Sequence, residues 1–127
     1  MCSCAPYFPW ILGGDFNSIL SLEEKRGGWA RLGPASTLFQ AQVDVLFVID
    51  VKPSNGVFTW NNRRSGQEAI SEHLDRFLVS SYWVSSGLIT SSKILDWRGS
   101  DHWPIKCSFS PIALPKNPSF RFHLMWL

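Results

Sequence analysis

Leu74-Asp75-Arg76-Phe77-Leu78-Val79 decides how this chain folds. Leu74, Arg76 and Leu78 fall on one face of an extended backbone, and Asp75, Phe77 and Val79 on the other. Apolar side chains on both faces predict a strand partly buried on both sides. A carboxylate in such a strand costs on the order of several kcal/mol unless it is paired. Asp75 therefore requires a cationic or hydrogen-bonding neighbour, and Arg76 and His102 are the candidates.

Other elements follow on either side. Trp10-Ile-Leu-Gly13 is a short apolar run that stops at Gly14-Asp-Phe-Asn17, as a buried strand ending in a turn would. A polar, glycine-containing stretch follows from Ser18 to Gly33. Gly33-Pro34 then reads as an N-cap with proline at the first helical position. Phe39, Val43, Leu46 and Phe47 recur at helical spacing and predict an amphipathic helix to about Val48. Pro53-Ser-Asn-Gly56 is turn chemistry, and Val57-Phe-Thr-Trp60 has the composition of a strand. Ser80–Gly87 has room for one helical turn carrying Trp83 and closed by Gly87, with strands expected at Leu88–Leu95 and Pro104–Phe109. Mixed strands and helices with one main sheet place the chain in the α/β (α+β) class.

The chain has 127 residues, the size of one domain, with 45% hydrophobic and 17% charged residues, so a packed core is expected. Seven Trp and nine Phe imply either a dense core or a surface that something else covers. A net charge of +2, with the basic residues spread along the chain, gives no general electrostatic footprint for nucleic acid. Three cysteines, at positions 2, 4 and 107, fit a reducing intracellular compartment better than a disulfide framework. The first residues have no basic region and are interrupted by Pro6 and Pro9, so no signal peptide is expected. No apolar run is long enough for a membrane span, and a soluble protein is expected.

Acidic sites sit at or beside expected strand ends: Asp15 with Asn17, Asp75, and Asp101 with His102. Strand ends combine a rigid sheet with variable loops, and catalytic groups gather there. Phosphodiester cleavage needs a group to activate water, donors or cations for the phosphoryl oxygens, and help for the leaving oxygen. Each piece also has a plain structural reading. Gly14-Asp-Phe-Asn17 makes a good Asx turn, and Ser100-Asp-His-Trp-Pro104 a good hydrogen-bonded loop. His73 and His123 read as structural.

Taken in order, Ile11-Leu-Gly-Gly-Asp-Phe-Asn17, Leu74-Asp-Arg-Phe-Leu-Val-Ser80 and Ser100-Asp-His-Trp-Pro-Ile105 resemble the last three motifs of the endonuclease/exonuclease/phosphatase superfamily. Glu24-Lys-Arg-Gly-Gly28, Gly56-Val-Phe-Thr-Trp60 with Asn62, Trp83, and the terminal Phe120-Arg-Phe122 and Met125-Trp-Leu127 resemble the endonuclease region of plant LINE-type (non-LTR) retrotransposon polyproteins. The resemblance implies half of a two-sheet α/β sandwich, with one mixed, mostly antiparallel sheet and one to three helices on one face. It implies a DNA phosphodiesterase using Mg²⁺ or Mn²⁺. Asp15 would handle a proton at the attacking water or leaving oxygen, and Asn17 would hydrogen-bond the phosphoryl group. His102 would contact the phosphate or act as base, oriented by Asp75. Asp101 would sit by the metal or help position the phosphate, Ser100 would support that loop and contact phosphate or DNA, and Thr59 would touch the nucleic-acid backbone.

The same resemblance sets limits. The family's early Asn, metal-binding Glu and middle Tyr or His motif precede Asp-x-Asn, and the residues before Asn17 contain no Glu. Residues 1–110 are thus expected to be the C-terminal half of the domain. Residues 111–127 are expected to be a proline-rich linker and the start of a segment leading toward a reverse transcriptase. Such a half would expose the sheet face that packs on its other half, fold marginally and lack activity alone, since residues acting as a unit are strongly non-additive. Three other readings stay open: a truncated host nuclease or phosphatase of the superfamily, a non-catalytic nucleic-acid or protein interaction module, and a product without selected function.

Overall fold

The computed structural model describes residues 9–96, 99–111 and 123–126. In chain order the elements are β1 (Trp10–Asp15), β2 (Lys25–Arg26), α1 (Pro34–Leu46), β3 (Val48–Val51), β4 (Trp60–Asn61), β5 (Ser71–Glu72), β6 (Asp75–Ser80), α2 (Ser81–Ser85), β7 (Leu88–Ile94), β8 (Ile105–Pro111) and β9 (His123–Trp126). The class is mixed α/β, as expected. The main sheet has the order β3-β6-β1-β9. In it β6 runs antiparallel to β3 and β1, and β9 lies parallel along the far side of β1. The short strands β2, β5 and β4 form a second sheet, and β7 with β8 a two-stranded third.

The strands therefore divide among three sheets instead of joining one, and the helices lie on opposite faces of the main sheet instead of sharing one. The reason is in β6, which is apolar on both sides. Phe77 and Val79 pack with Ile11, Trp83 of α2 and Leu88, flanked by Val51, Ile105 and Cys107. Each such side chain contributes about 1.5–3 kcal/mol on burial. Trp83 is wholly buried, donates from Nε1 to Thr90 Oγ1 at 2.6 Å, and meets the Phe109 ring edge-on. The short α2 forms where Ser80 Oγ accepts from Trp83 N, and it closes at Gly87, whose φ of 79° suits a residue without Cβ.

The opposite face carries Arg76 and Leu78, and α1 covers it incompletely. Leu78 joins Trp10, Leu12, Phe16, Leu38 and Phe39 around a groove of about 660 Å³ beneath the helix. Gly33 and Pro34 start α1 as expected. Its other end departs from expectation, because Leu46 is 59% exposed and Phe47 74% exposed. Phe47 takes the left-handed conformation, φ 52°, that caps the helix, which carries its ring off the apolar stripe.

The strand expected at Val57–Trp60 shrinks to Trp60–Asn61. Val57 is exposed and has no surface to pleat against. Of the expected linker and following segment at 111–127, the described residues are Pro111, which ends β8, and His123–Trp126, which pair with β1. No helix among the described residues is long and apolar enough to cross a membrane.

Candidate active site

Asp15 ends β1, Asp75 begins β6, and the antiparallel register sets them directly opposite each other. Two carboxylates in that relation repel unless something lies between them. His102 does. Its Nδ1 is 2.8 Å from Asp75 Oδ2, and its Nε2 is 3.7 Å from Asp15 Oδ2. An ionised carboxylate only accepts, so Nδ1 carries the hydrogen and the other nitrogen is left toward Asp15. Burial alone would pull the His102 pKa down, but the Asp75 hydrogen bond and charge, then Asp15 and Asp101, hold it above its ordinary value. Of the two partners considered for Asp75, His102 is the one it meets. Arg76 points to the opposite face of the strand.

The two loops that present these groups are tied down locally. Asp15 Oδ1 accepts from Asn17 N at 2.8 Å, and Asn17 adopts φ 52°, a conformation that Asn tolerates well. Phe16 N donates to Leu74 O at 3.0 Å and fastens this Asx turn to β6. The structural and the chemical readings of Gly14-Asp-Phe-Asn17 thus coexist: one Asp15 oxygen shapes the turn and the other faces His102. Asn17 is exposed beside it. On the second loop, Ser100 Oγ accepts from His102 N at 3.2 Å.

Thr59 and Asp101 stand differently from expectation. Thr59 is fully buried, and its Oγ1 accepts from both Leu74 N and Asp75 N at 3.0 Å. It fixes the start of β6 and has no surface with which to touch a nucleic-acid backbone, because two backbone donors claim its hydroxyl. Asp101 is exposed, and its carboxylate is not among the ligand atoms that cluster with Asp15 and Asp75. Its Oδ2 accepts from Trp60 Nε1 at 3.1 Å, and that bond chiefly lowers its pKa. Trp60 was not singled out by the sequence as a site residue, although an indole N–H near a loop rich in acceptors asks for a partner. Together Trp60–Asp101, Asn61 N to Asp101 O, and Trp103 N to Thr59 O at 2.7 Å clamp the His102 loop onto β4.

The donor set near the pair is Asp15, Asp75 and His102, whose ligand atoms lie within 4.8 Å of one another. It does not suit Mg²⁺, which takes about six oxygens at 2.0–2.1 Å. One of the three donors is an imidazole, its Nδ1 and one Asp75 oxygen are engaged with each other, and Asp101 is committed to Trp60. What the arrangement does supply is a carboxylate-oriented imidazole with its second nitrogen facing another carboxylate. That is the outline of a proton-transfer and anion-contact centre. Compared with known protein families, with curated proteins and with solved structures, the chain matches none.

Proposed function

We propose that this chain carries one wall of a phosphodiesterase site of the endonuclease/exonuclease/phosphatase kind, derived from a LINE-type retrotransposon endonuclease and inert on DNA by itself. The observation that carries the reading is the line Asp75–His102–Asp15 across two strand ends, with separations of 2.8 and 3.7 Å. In this reading Asp75 fixes the ring, and His102 holds or transfers a proton at Nε2 beside the phosphate. Asp15 takes the proton of the attacking water or supplies one to the leaving oxygen, and the exposed amide of Asn17 donates to the phosphoryl oxygens.

Supercoiled plasmid with Mg²⁺ tests both parts of the proposal. The chain alone is expected to leave the plasmid intact, and Asp15-dependent nicking by it would overturn the inertness. Co-expressed with the N-terminal half of a related endonuclease, it is expected to nick, with loss of about 10²-fold or more in His102→Gln. Nicking by that assembly that is indifferent to His102→Gln would overturn the site.

A second reading, a non-catalytic interaction module, is favoured by the apolar groove under α1 and, separately, by the exposed Arg63 and Arg64, of which Arg64 pairs with Glu68. It requires salt-dependent DNA binding that survives Asp15→Ala and His102→Gln together. Absence of binding at low salt removes its nucleic-acid form.

A further inference from the structure

Arg76 is fully buried among acceptors. Its Nη1 donates to Glu24 Oε2 at 3.0 Å and Asp50 Oδ2 at 3.1 Å, and its Nη2 to Glu24 Oε1 at 2.9 Å, Ser18 O at 3.0 Å and His73 O at 2.8 Å. Two carboxylates face one guanidinium where water is scarce. Beside them His73 is only 2% exposed, and neither ring nitrogen makes a hydrogen bond among the described residues. The Val57 carbonyl lies near the ring without a well-formed bond. Asp50 Oδ1 is likewise buried and unbonded. A buried polar atom left so costs about 1–3 kcal/mol, so three together call for an occupant.

The room for one is present. Glu24 and His73 line a cavity of about 170 Å³ whose wall includes Ser21, Lys52, Gly56 and Val57. Ligand atoms of Glu24, Asp50 and His73 lie within 4.8 Å of one another. From these observations we propose that Glu24, Asp50 and His73 form a binding site for a divalent transition-metal ion such as Zn²⁺, separate from the Asp15–His102–Asp75 line.

One imidazole and two carboxylates are donors that a first-row transition ion accepts readily, unlike Mg²⁺. Bonds of about 2.0–2.2 Å need the ligand atoms drawn together by roughly an ångström, and the cavity leaves the fourth position to water. The site goes beyond the proposed phosphodiesterase and does not depend on it.

The test uses the whole chain carrying His102→Gln, which removes the other imidazole, titrated with CoCl₂ and then displaced with ZnCl₂. One Co²⁺ per chain, with paramagnetic broadening centred on the amides of Glu24, Gly56 and Val57, is expected. Adding His73→Gln should weaken binding by about tenfold or more. Absence of Co²⁺ binding at millimolar concentration overturns the proposal, as does broadening centred on Asp15 and Trp103. Should the His73→Gln chain fail to fold, as judged by circular dichroism, the position of the broadening decides alone.

Discussion

At the scale of single residues, the candidate site is a like-charge conflict resolved by one imidazole. Asp15 and Asp75 face each other because the β1–β6 register puts them there, and His102 is the group between them. The His102 pKa is raised from 6.5 in the folded chain. Its contribution to stability is thus fully present below about pH 6.5 and lost as pH rises through the folded value. His73 is shifted the opposite way and contributes with the opposite sign, so the useful quantity is a difference. Urea midpoints measured from about pH 6 to pH 8 are expected to fall more steeply for the parent chain than for His102→Gln. Parallel curves would show that the ring carries no charge between the carboxylates.

Thr59 offers a second prediction at this scale. Thr59→Val keeps the shape but removes the acceptor for Leu74 N and Asp75 N, and is expected to cost about 2 kcal/mol by urea unfolding. Thr59→Ser keeps the oxygen and should recover most of it. The role of Thr59 was not legible in the sequence, because its partners lie 15 and 16 residues away and a strand composition at Val57–Trp60 pointed elsewhere. Asp75 and His102 were legible, since a charge in an apolar strand announces that a partner exists.

At the scale of elements, β6 explains most of what the sequence allowed. Its two apolar faces predicted its burial, and they also account for α2 on one side and α1 on the other. What stayed hidden was the reach of Arg76, whose acceptors come from Ser18, Glu24, Asp50 and His73. Nothing in local spacing links positions 26 and 52 residues apart. This network holds the 3₁₀ turn at Leu22–Glu24 and β3 onto the same strand. Arg76→Met would strand two buried carboxylates and is expected to destabilise by about 3–5 kcal/mol, read by thermal or urea unfolding. Arg76→Lys should recover only part of the loss, because an ammonium cannot serve Glu24 through two parallel bonds.

At the scale of the molecule, the described surface is apolar in an uneven way. Leu38, Val45, Leu46 and Phe47 are all more than half exposed along α1 and its cap, next to the groove. The aromatic and aliphatic richness of the sequence thus goes partly into a core around Trp83 and partly onto the surface. Self-association at micromolar concentration and strong binding of a hydrophobic fluorescent dye are expected for the isolated chain. Both should drop in the double variant Leu46→Glu, Phe47→Lys, measured by light scattering and dye fluorescence. A monodisperse parent chain that ignores the dye would contradict this.

The β1–β6 ladder has one more consequence. Side chains in a strand alternate, so sliding β1 by a single step past β6 would turn Asp15 to the groove side and bring Gly14 or Phe16 opposite Asp75. The hydrogen-bond ladder therefore works as a vernier on which the chemistry is read, and its correct setting coincides with the correct burial of Ile11. A residue inserted between Leu12 and Gly14 would have to choose which alignment to keep. It would preserve the hydrophobic seat or the carboxylate pair, but not both.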